Sequence, residues 1–257
     1  MRGGAACPVR LRFSKRGKVR WISHRDLARA FERALRVERL PLAFSEGFSP
    51  HPKVSFGLAL PVGAESEAEY LDMELLREVD LATLPGRLTP ALPDGVDVVA
   101  AVPLAERAPA LQEAVTAVVW RVEVLGSDAG PPLSPEAFAA LAGEALVSPT
   151  LETARRRKGR EVVDDVRPVI RRIDVVGPSA RGVRCEMEMS TQPRGAKPGE
   201  VLAAIAAATG SSGGPDGRCV LAEGDVLRTH QWIEREGARC EPLDADPRVR
   251  VPEARAS

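Results

Sequence analysis

Between Val9 and Leu35 the hydrophobic period of this chain switches from two to 3.6, and that switch constrains the fold more than any other feature. In Val9-Arg-Leu-Arg-Phe13 apolar and basic residues alternate, as in a half-buried strand. Leu27, Ala30, Phe31, Ala34 and Leu35 then fall at i, i+3, i+4, i+7 and i+8, one buried stripe on a helix. Ser23-His-Arg-Asp26 sits where the period changes and reads as a variant capping box, with the Ser23 hydroxyl accepting from the Asp26 amide. A helix with one apolar stripe beside a strand with one apolar face has to pack on the sheet which that strand joins.

The residues that follow extend the pattern. Val19-Arg-Trp-Ile22 reads as resumed alternation after a turn at 14–18, and Pro41 ends the helix. Residues 42–45, 54–60 and 69–75 read as strands, 81–92 as a helix and 96–102 as a strand. Strand, helix, strand, strand, helix, strand is the ferredoxin-like βαββαβ order. Beyond the Pro/Ala-rich stretch 103–112 the order recurs. A strand is expected at 115–125, a helix at 135–146 behind a Ser134 cap, and strands at 162–176, interrupted at Pro168, and at 183–189. An Ala-rich helix at 198–209 and a strand at 226–234 complete it. The expected fold class is α+β, as tandem ferredoxin-like domains with antiparallel sheets over 8–103 and 113–236. Ser211-Ser-Gly-Gly-Pro-Asp-Gly217 reads as a loop and 237–257 as a flexible tail.

Charge is segregated along the chain. Residues 1–60 hold 13 Lys and Arg against 4 Asp and Glu, whereas 61–150 hold 4 against 15, so the formal neutrality of the whole conceals a basic segment and an acidic one. Like charges concentrated on one surface repel, and such a surface usually faces an anion or an acidic partner. Arg25, Arg29, Arg33 and Arg36 fall on the helix face opposite the apolar stripe, following Arg10, Arg12, Lys15, Arg16, Lys18 and Arg20. A second basic run is Arg155-Arg-Arg-Lys158 with Arg160. The bland reading of each run is a solvated face, with Glu32 and Glu38 screening the helix. Phe13, Trp21, Phe44 and Phe48 are available to stack on bases, or to fill a core.

Gly47-Phe-Ser-Pro-His-Pro-Lys53 is the other candidate. Pro50 and Pro52 restrict the backbone on both sides of His51 and orient its imidazole, and Lys53 lies beside it. That pair can hold a phosphate or move a proton; alternatively His51 hydrogen-bonds within its own loop. His24, in the first helical turn, lies near free amides, or simply assists the cap. His230 reads as structural. Ser23, His24 and Asp26 share one helical turn and cannot align as a catalytic triad.

Several classes are excluded by motif. The sequence has no G-x-x-x-x-G-K-[ST], no strand-bound G-x-G-x-x-G and no H-E-x-x-H. Three scattered histidines and four distant cysteines (Cys7, Cys185, Cys219, Cys240) give no metal or redox spacing, so no metal and no cofactor is expected. No apolar run approaches the roughly 20 residues needed to span a bilayer, and residues 1–7 lack the apolar stretch of a secretory signal. No membrane partner is expected, and a cytoplasmic location is.

Val19-Arg-Trp-Ile-Ser-His-Arg-Asp-Leu27, Ala30-Phe-Glu-Arg-Ala-Leu35, Pro41-Leu-Ala-Phe-Ser-Glu-Gly-Phe-Ser-Pro-His-Pro-Lys-Val-Ser-Phe56 and Glu65-Ser-Glu-Ala-Glu-Tyr-Leu-Asp72 together resemble the radical-SAM-linked proteins. These are a bacterial family of uncharacterised function found beside, or fused behind, a radical-SAM enzyme. The similarity is long over residues 9–75 and looser over 115–176, at Arg157-Lys-Gly159 and Val163-Asp-Asp-Val-Arg-Pro168. It implies an accessory role beside a radical-SAM partner, with RNA modification as the setting. Ser23, His24, Asp26, Glu46, Gly47, Pro50, His51, Pro52 and Lys53 carry over as motif positions without assigned roles. The chain has no C-x-x-x-C-x-x-C, so the partner supplies the cluster that cleaves S-adenosylmethionine.

The expected function is therefore a non-catalytic accessory subunit that binds RNA of tRNA type and presents it to the radical-SAM enzyme. The expected RNA-binding set is Arg12, Lys15, Arg16, Lys18, Arg20, Arg25, Arg29, Arg33, His51, Lys53, Arg155, Arg156, Arg157 and Lys158. One alternative is a metal-independent endoribonuclease with His51, His24 and Lys53 as catalytic groups. It rests on a fold-level resemblance to the enzymes that process CRISPR repeats. The other alternative is a protein-only docking subunit whose basic face meets an acidic partner.

Overall fold

A computed structural model describes residues 7–104, 108–126, 132–157, 159–209 and 221–244. Residues 211–217, read as a loop, and 245–257 of the expected tail lie outside them. The fold is α+β, with strands paired antiparallel and five α-helical segments among the described residues. Its contacts divide it into two compact units, 1–115 with 231–257, and 116–230. No helix among the described residues is long and apolar enough to cross a membrane.

The first unit begins with β1 (Cys7–Lys15), whose Val9, Leu11 and Phe13 are buried as the alternation requires. Residues 19–22, expected as a strand, instead fall in and just after a 3-10 turn over Gly17–Trp21. Gly17 adopts φ +68°, which reverses the chain, and the Ile22 amide donates to the Val19 carbonyl at 3.1 Å. Helix α1 (His24–Val37) then starts where the capping box places it. The Ser23 hydroxyl accepts from the Asp26 amide at 3.2 Å and donates to the Asp26 carboxylate at 2.7 Å, a cap worth about 1 kcal/mol. Leu27, Phe31, Ala34 and Leu35 form its buried face.

Strand β2 (Val54–Phe56) is shorter than expected, and Gly57 takes the chain away with its amide on the Tyr70 carbonyl at 2.9 Å. Strand β3 (Glu65–Leu75) is longer, running back beside β1 with Leu11 opposite Leu71 and Arg10 opposite Asp72. The single helix expected over 81–92 is in fact three short pieces: a 3-10 turn at Leu81–Thr83, α2 (Leu84–Leu88) and a second 3-10 turn at Thr89–Ala91. Pro85 and Pro90 have no amide hydrogen to donate, which breaks the ladder. Strand β4 (Val96–Pro103) pairs with the other side of β1, and α3 (Leu111–Ala114) is a single turn. The neighbour order is β4-β1-β3, with β2 also on β3. The core lies between this sheet and α1, around Phe13, Phe31, Leu71 and Met73.

In the second unit, β5 (Ala117–Leu125) is followed by α4 (Pro135–Val147), capped by Ser134 on the Ala137 amide at 3.1 Å. A hairpin that the sequence reading missed comes next, β6 (Glu152–Arg157) and β7 (Arg160–Asp165). Gly159, between the two strands, takes φ +80°. Strand β8 (Ile170–Pro178) follows the break at Pro168, then β9 (Val183–Ser190), α5 (Pro198–Ala208) and β10 (Ala222–Arg235). The order is β10-β5-β9-β8, so in each unit the first and third long strands are neighbours.

From Gln231 onward the chain belongs to the first unit, where β11 (Ala238–Cys240) pairs with the end of β10. Residues 238–244 are thus part of the fold and not of the flexible tail expected from 237, because two arginines of β1 hold them. Arg12 Nη1 lies 2.7 Å from the Glu241 carboxylate, Arg10 Nη1 donates to the Pro242 carbonyl at 3.0 Å, and Leu243 is buried.

Cys185 on β9 is fully buried, and burial pushes its thiol up to about 12 from the ordinary 9.0. Iodoacetamide at about pH 8.5 is therefore expected to spare Cys185 in the native protein while labelling the half-buried Cys7; burial also raises the Cys240 thiol, so Cys7 is the reference. Peptide mass spectrometry before and after adding urea checks this. Labelling of Cys185 as fast as Cys7 without denaturant would contradict it.

Candidate functional site

Most of the cations on and just after β1 are occupied by carboxylates. Arg10 is 2% exposed, with Nε and Nη2 on the two Asp72 oxygens at 2.6 and 2.8 Å. Arg12 holds Glu241, and its Nε donates to the Glu67 carbonyl at 3.2 Å. Arg16 pairs with Glu67, and Arg20 with Glu65 at 3.5 Å. Lys15 is buried, and its ammonium donates to the Arg20 and Ile22 carbonyls at 3.3 and 3.1 Å. Loss of hydration lowers its pKa below 10.5, against the raising influence of Glu69. The acidic partners at 65, 67 and 72 come from β3, so the antiparallel register of β1 and β3 cancels much of the basic excess seen in sequence.

Helix α1 behaves differently. Arg25, Arg33 and Arg36 are exposed and make no ion pair among the described residues, and Arg29 touches only Asp26, at 3.5 Å with both groups more than half exposed. Lys18, in the turn ahead of the helix, is likewise exposed and unpaired. Arg25 and Arg29, and Arg29 and Arg33, stand at i,i+4, where like charges cost a helix about 0.2–0.5 kcal/mol per pair. From Arg25 to Arg36 the row extends about 16 Å along the helix axis.

The aromatic residues divide in the same way. Phe13 is core, 4.7 Å from Phe31 between ring centroids. Trp21 is 63% exposed, with one face against Gly63 and the Arg20 guanidinium 5.3 Å from its centroid. A Cβ on Gly63 would lie 3.0 Å from the Trp21 ring, and at φ +92° only glycine sits there without strain. Phe44 and Phe48 are exposed too. His24 packs edge-on against Phe56 at 5.2 Å, at the start of the arginine row.

The 45–53 loop is clamped by its backbone. The Ser45 amide donates to the His51 carbonyl at 2.8 Å, the His51 amide donates to the Ser45 hydroxyl at 3.0 Å, and the Lys53 amide donates to the Ala43 carbonyl at 2.8 Å. His51 is exposed, and its ring makes no hydrogen bond among the described residues. Lys53 pairs with Glu74 at 2.7 Å. Both line a cleft with Ser45, Ser55, Asp72 and Glu74, four residues that sequence reasoning did not single out. The usable signal was the alternation of β3, in which Leu71, Met73 and Leu75 are buried and Asp72 and Glu74 are set opposite them.

In the second unit Arg155, Arg156 and Arg157 lie on β6; their side chains, and Lys158, lie outside the described residues. His230 is half-buried on β10 beside the Thr229 hydroxyl. No cluster of metal-ligating residues occurs among the described residues.

A family described as "Uncharacterized protein conserved in bacteria (DUF2344)" matches residues 9–198. No curated protein matches the chain. One similar solved structure is that of an H/ACA RNP bound to a substrate RNA containing 2'-deoxyuridine, at 8% identity and a TM-score of 0.43. The similarity covers 87% of this chain and 47% of that one, so the chain spans about half the length of the structure it matches.

Proposed function

We propose that this chain, which belongs to the DUF2344 family of uncharacterized proteins conserved in bacteria, binds RNA through helix α1 and presents it to a partner enzyme. The observation that carries the reading is the unpaired arginine row. Carboxylates occupy Arg10, Arg12, Arg16 and Arg20, yet Arg25, Arg33 and Arg36 stand exposed at a cost to the helix that a polyanion would repay. Trp21, exposed just ahead of α1, adds a face on which a base can stack. Lys18 and the β6 arginines are further candidates for phosphate contact. The resemblance over residues 9–75 supports a radical-SAM enzyme as the partner and tRNA-like RNA as the ligand. On fold, the matching strand order in the two units supports reading them as tandem ferredoxin-like domains, with the β6–β7 hairpin inserted in the second.

Fluorescence anisotropy with a labelled RNA hairpin tests the interface. The triple substitution Arg25→Ala, Arg29→Ala, Arg33→Ala is expected to weaken binding at least tenfold while leaving thermal stability unchanged or slightly raised, since the repulsion within the row is gone. Arg16→Ala, which removes a cation already paired with Glu67, is expected to change affinity less than twofold. Equal affinity for the triple variant and wild type would reject α1 as the binding face.

A further inference from the structure

The cleft beneath the 45–55 loop lies wholly in the first unit, has a volume of ≈ 350 Å³, and reaches the small end of the range that holds small organic ligands, about 300–1,000 Å³. Its apolar surface comes from Pro8, Pro52, Val54, Met73 and Leu104. Its charges are internally balanced. Asp72 is neutralised by Arg10, which binds both its oxygens, and Glu74 by Lys53 at 2.7 Å. An anion entering here meets two carboxylates and, among the described residues that line the cleft, no cation left unpaired to receive it, which disfavours a phosphate. A neutral ligand meets apolar walls together with polar groups that still have capacity. The His51 imidazole and the Ser55 hydroxyl have no hydrogen bond among the described residues, and the carboxylates retain lone pairs that Arg10 and Lys53 leave unused.

From this we infer that the cleft takes one unstacked base of the bound RNA, preferring a base with an exocyclic amine to uracil; the inference rests on the RNA-binding reading above. Adenine, cytosine and guanine each carry an exocyclic amine that donates to a carboxylate oxygen, whereas uracil has none and offers a carbonyl where cytosine has its amine. The rigid loop fits this role. With its backbone clamped at Ser45, His51 and Lys53, the cleft wall stays in place without a ligand, and little ordering is needed when a base enters.

Adenosine, cytidine and uridine titrated into the full-length ¹⁵N-labelled protein test the cleft without RNA. Adenosine and cytidine are expected to shift the amides of His51, Lys53, Val54, Ser55 and Glu74 saturably, with affinity at least fivefold above that of uridine. Ser55→Trp, and independently Ala108→Trp, would fill the cleft from exposed positions and are expected to abolish those shifts. The α1 triple alanine variant is expected to bind nucleosides as wild type does, which separates failure of the cleft from failure of the helix face. The absence of saturable shifts at these amides, or their survival in both tryptophan variants, overturns the inference.

Discussion

Asp72→Ala is expected to destabilise the protein by about 3–5 kcal/mol, the loss typical when one partner of a buried ion pair is removed. Arg10 is among the most deeply buried large side chains here, 2% exposed at the centre of β1, and Asp72 accepts from two of its nitrogens. Without Asp72 the guanidinium keeps, among the described residues, the Pro242 carbonyl at 3.0 Å and no carboxylate, and stays buried as an uncompensated charge. Urea denaturation followed by circular dichroism reads the change directly. Lys53→Ala breaks an ion pair of similar length, but with both side chains more than a third exposed, and is expected to cost at most about 1 kcal/mol. A double variant, Arg10→Met with Asp72→Leu, removes both charges and is expected to recover much of the loss. If Asp72→Ala unfolds within 1 kcal/mol of wild type, about the scale of an exposed pair, the buried pair does not hold β1 to β3 as described.

Phe31→Ala is expected to cost about as much, roughly 3–5 kcal/mol, through a different mechanism. Its ring is fully buried under α1, 4.7 Å from the Phe13 centroid and 5.7 Å from that of Phe56. Phe13 lies on β1 and Phe56 on β2, so one side chain joins the helix to two strands, and neither strand can close the resulting cavity without giving up its pairing. Phe31→Leu fills most of the space and is expected to cost about half as much or less. Because α1 carries the arginine row, Phe31→Ala is also expected to weaken RNA binding, whereas Phe31→Leu is expected to preserve it. Denaturation curves of both variants check the stability part, and a loss under 1 kcal/mol for alanine would contradict the packing.

The sequence disclosed α1 in detail, because its start and its buried face are both local: a serine three residues before an aspartate, and apolar residues at helical spacing. The same locality explains the failures. Resumed alternation would put Val19 and Trp21 on one face, yet Val19 is buried and Trp21 exposed, because one glycine at positive φ turns the chain into a 3-10 turn. Whether Arg10 faces a ligand or a carboxylate depends on how β1 aligns with β3, 62 positions later, and Arg12 depends on Glu241, 229 positions later; no local period encodes either. The acidic stretch 65–74 was visible as a run of charge, but its role as counter-charge to β1 was not. The basic run at 155–160 was read for its charge, while the Gly159 turn that makes it a hairpin went unused. What survives of the basic segment is the part on the helix, whose outward face needs no knowledge of the sheet.

The dependence of RNA affinity on salt tests the central claim most directly. A face that engages about three phosphates through arginine is expected to give a slope of about −2 in log affinity against log salt concentration, the value for single-stranded segments. Between 50 and 200 mM salt that slope weakens binding by roughly 15-fold. In the Arg25→Ala, Arg29→Ala, Arg33→Ala variant the slope is expected to fall to less than half of the wild-type value. A wild-type slope near zero, or a steep slope that the triple variant leaves unchanged, would contradict the assignment of α1 as the RNA-binding face.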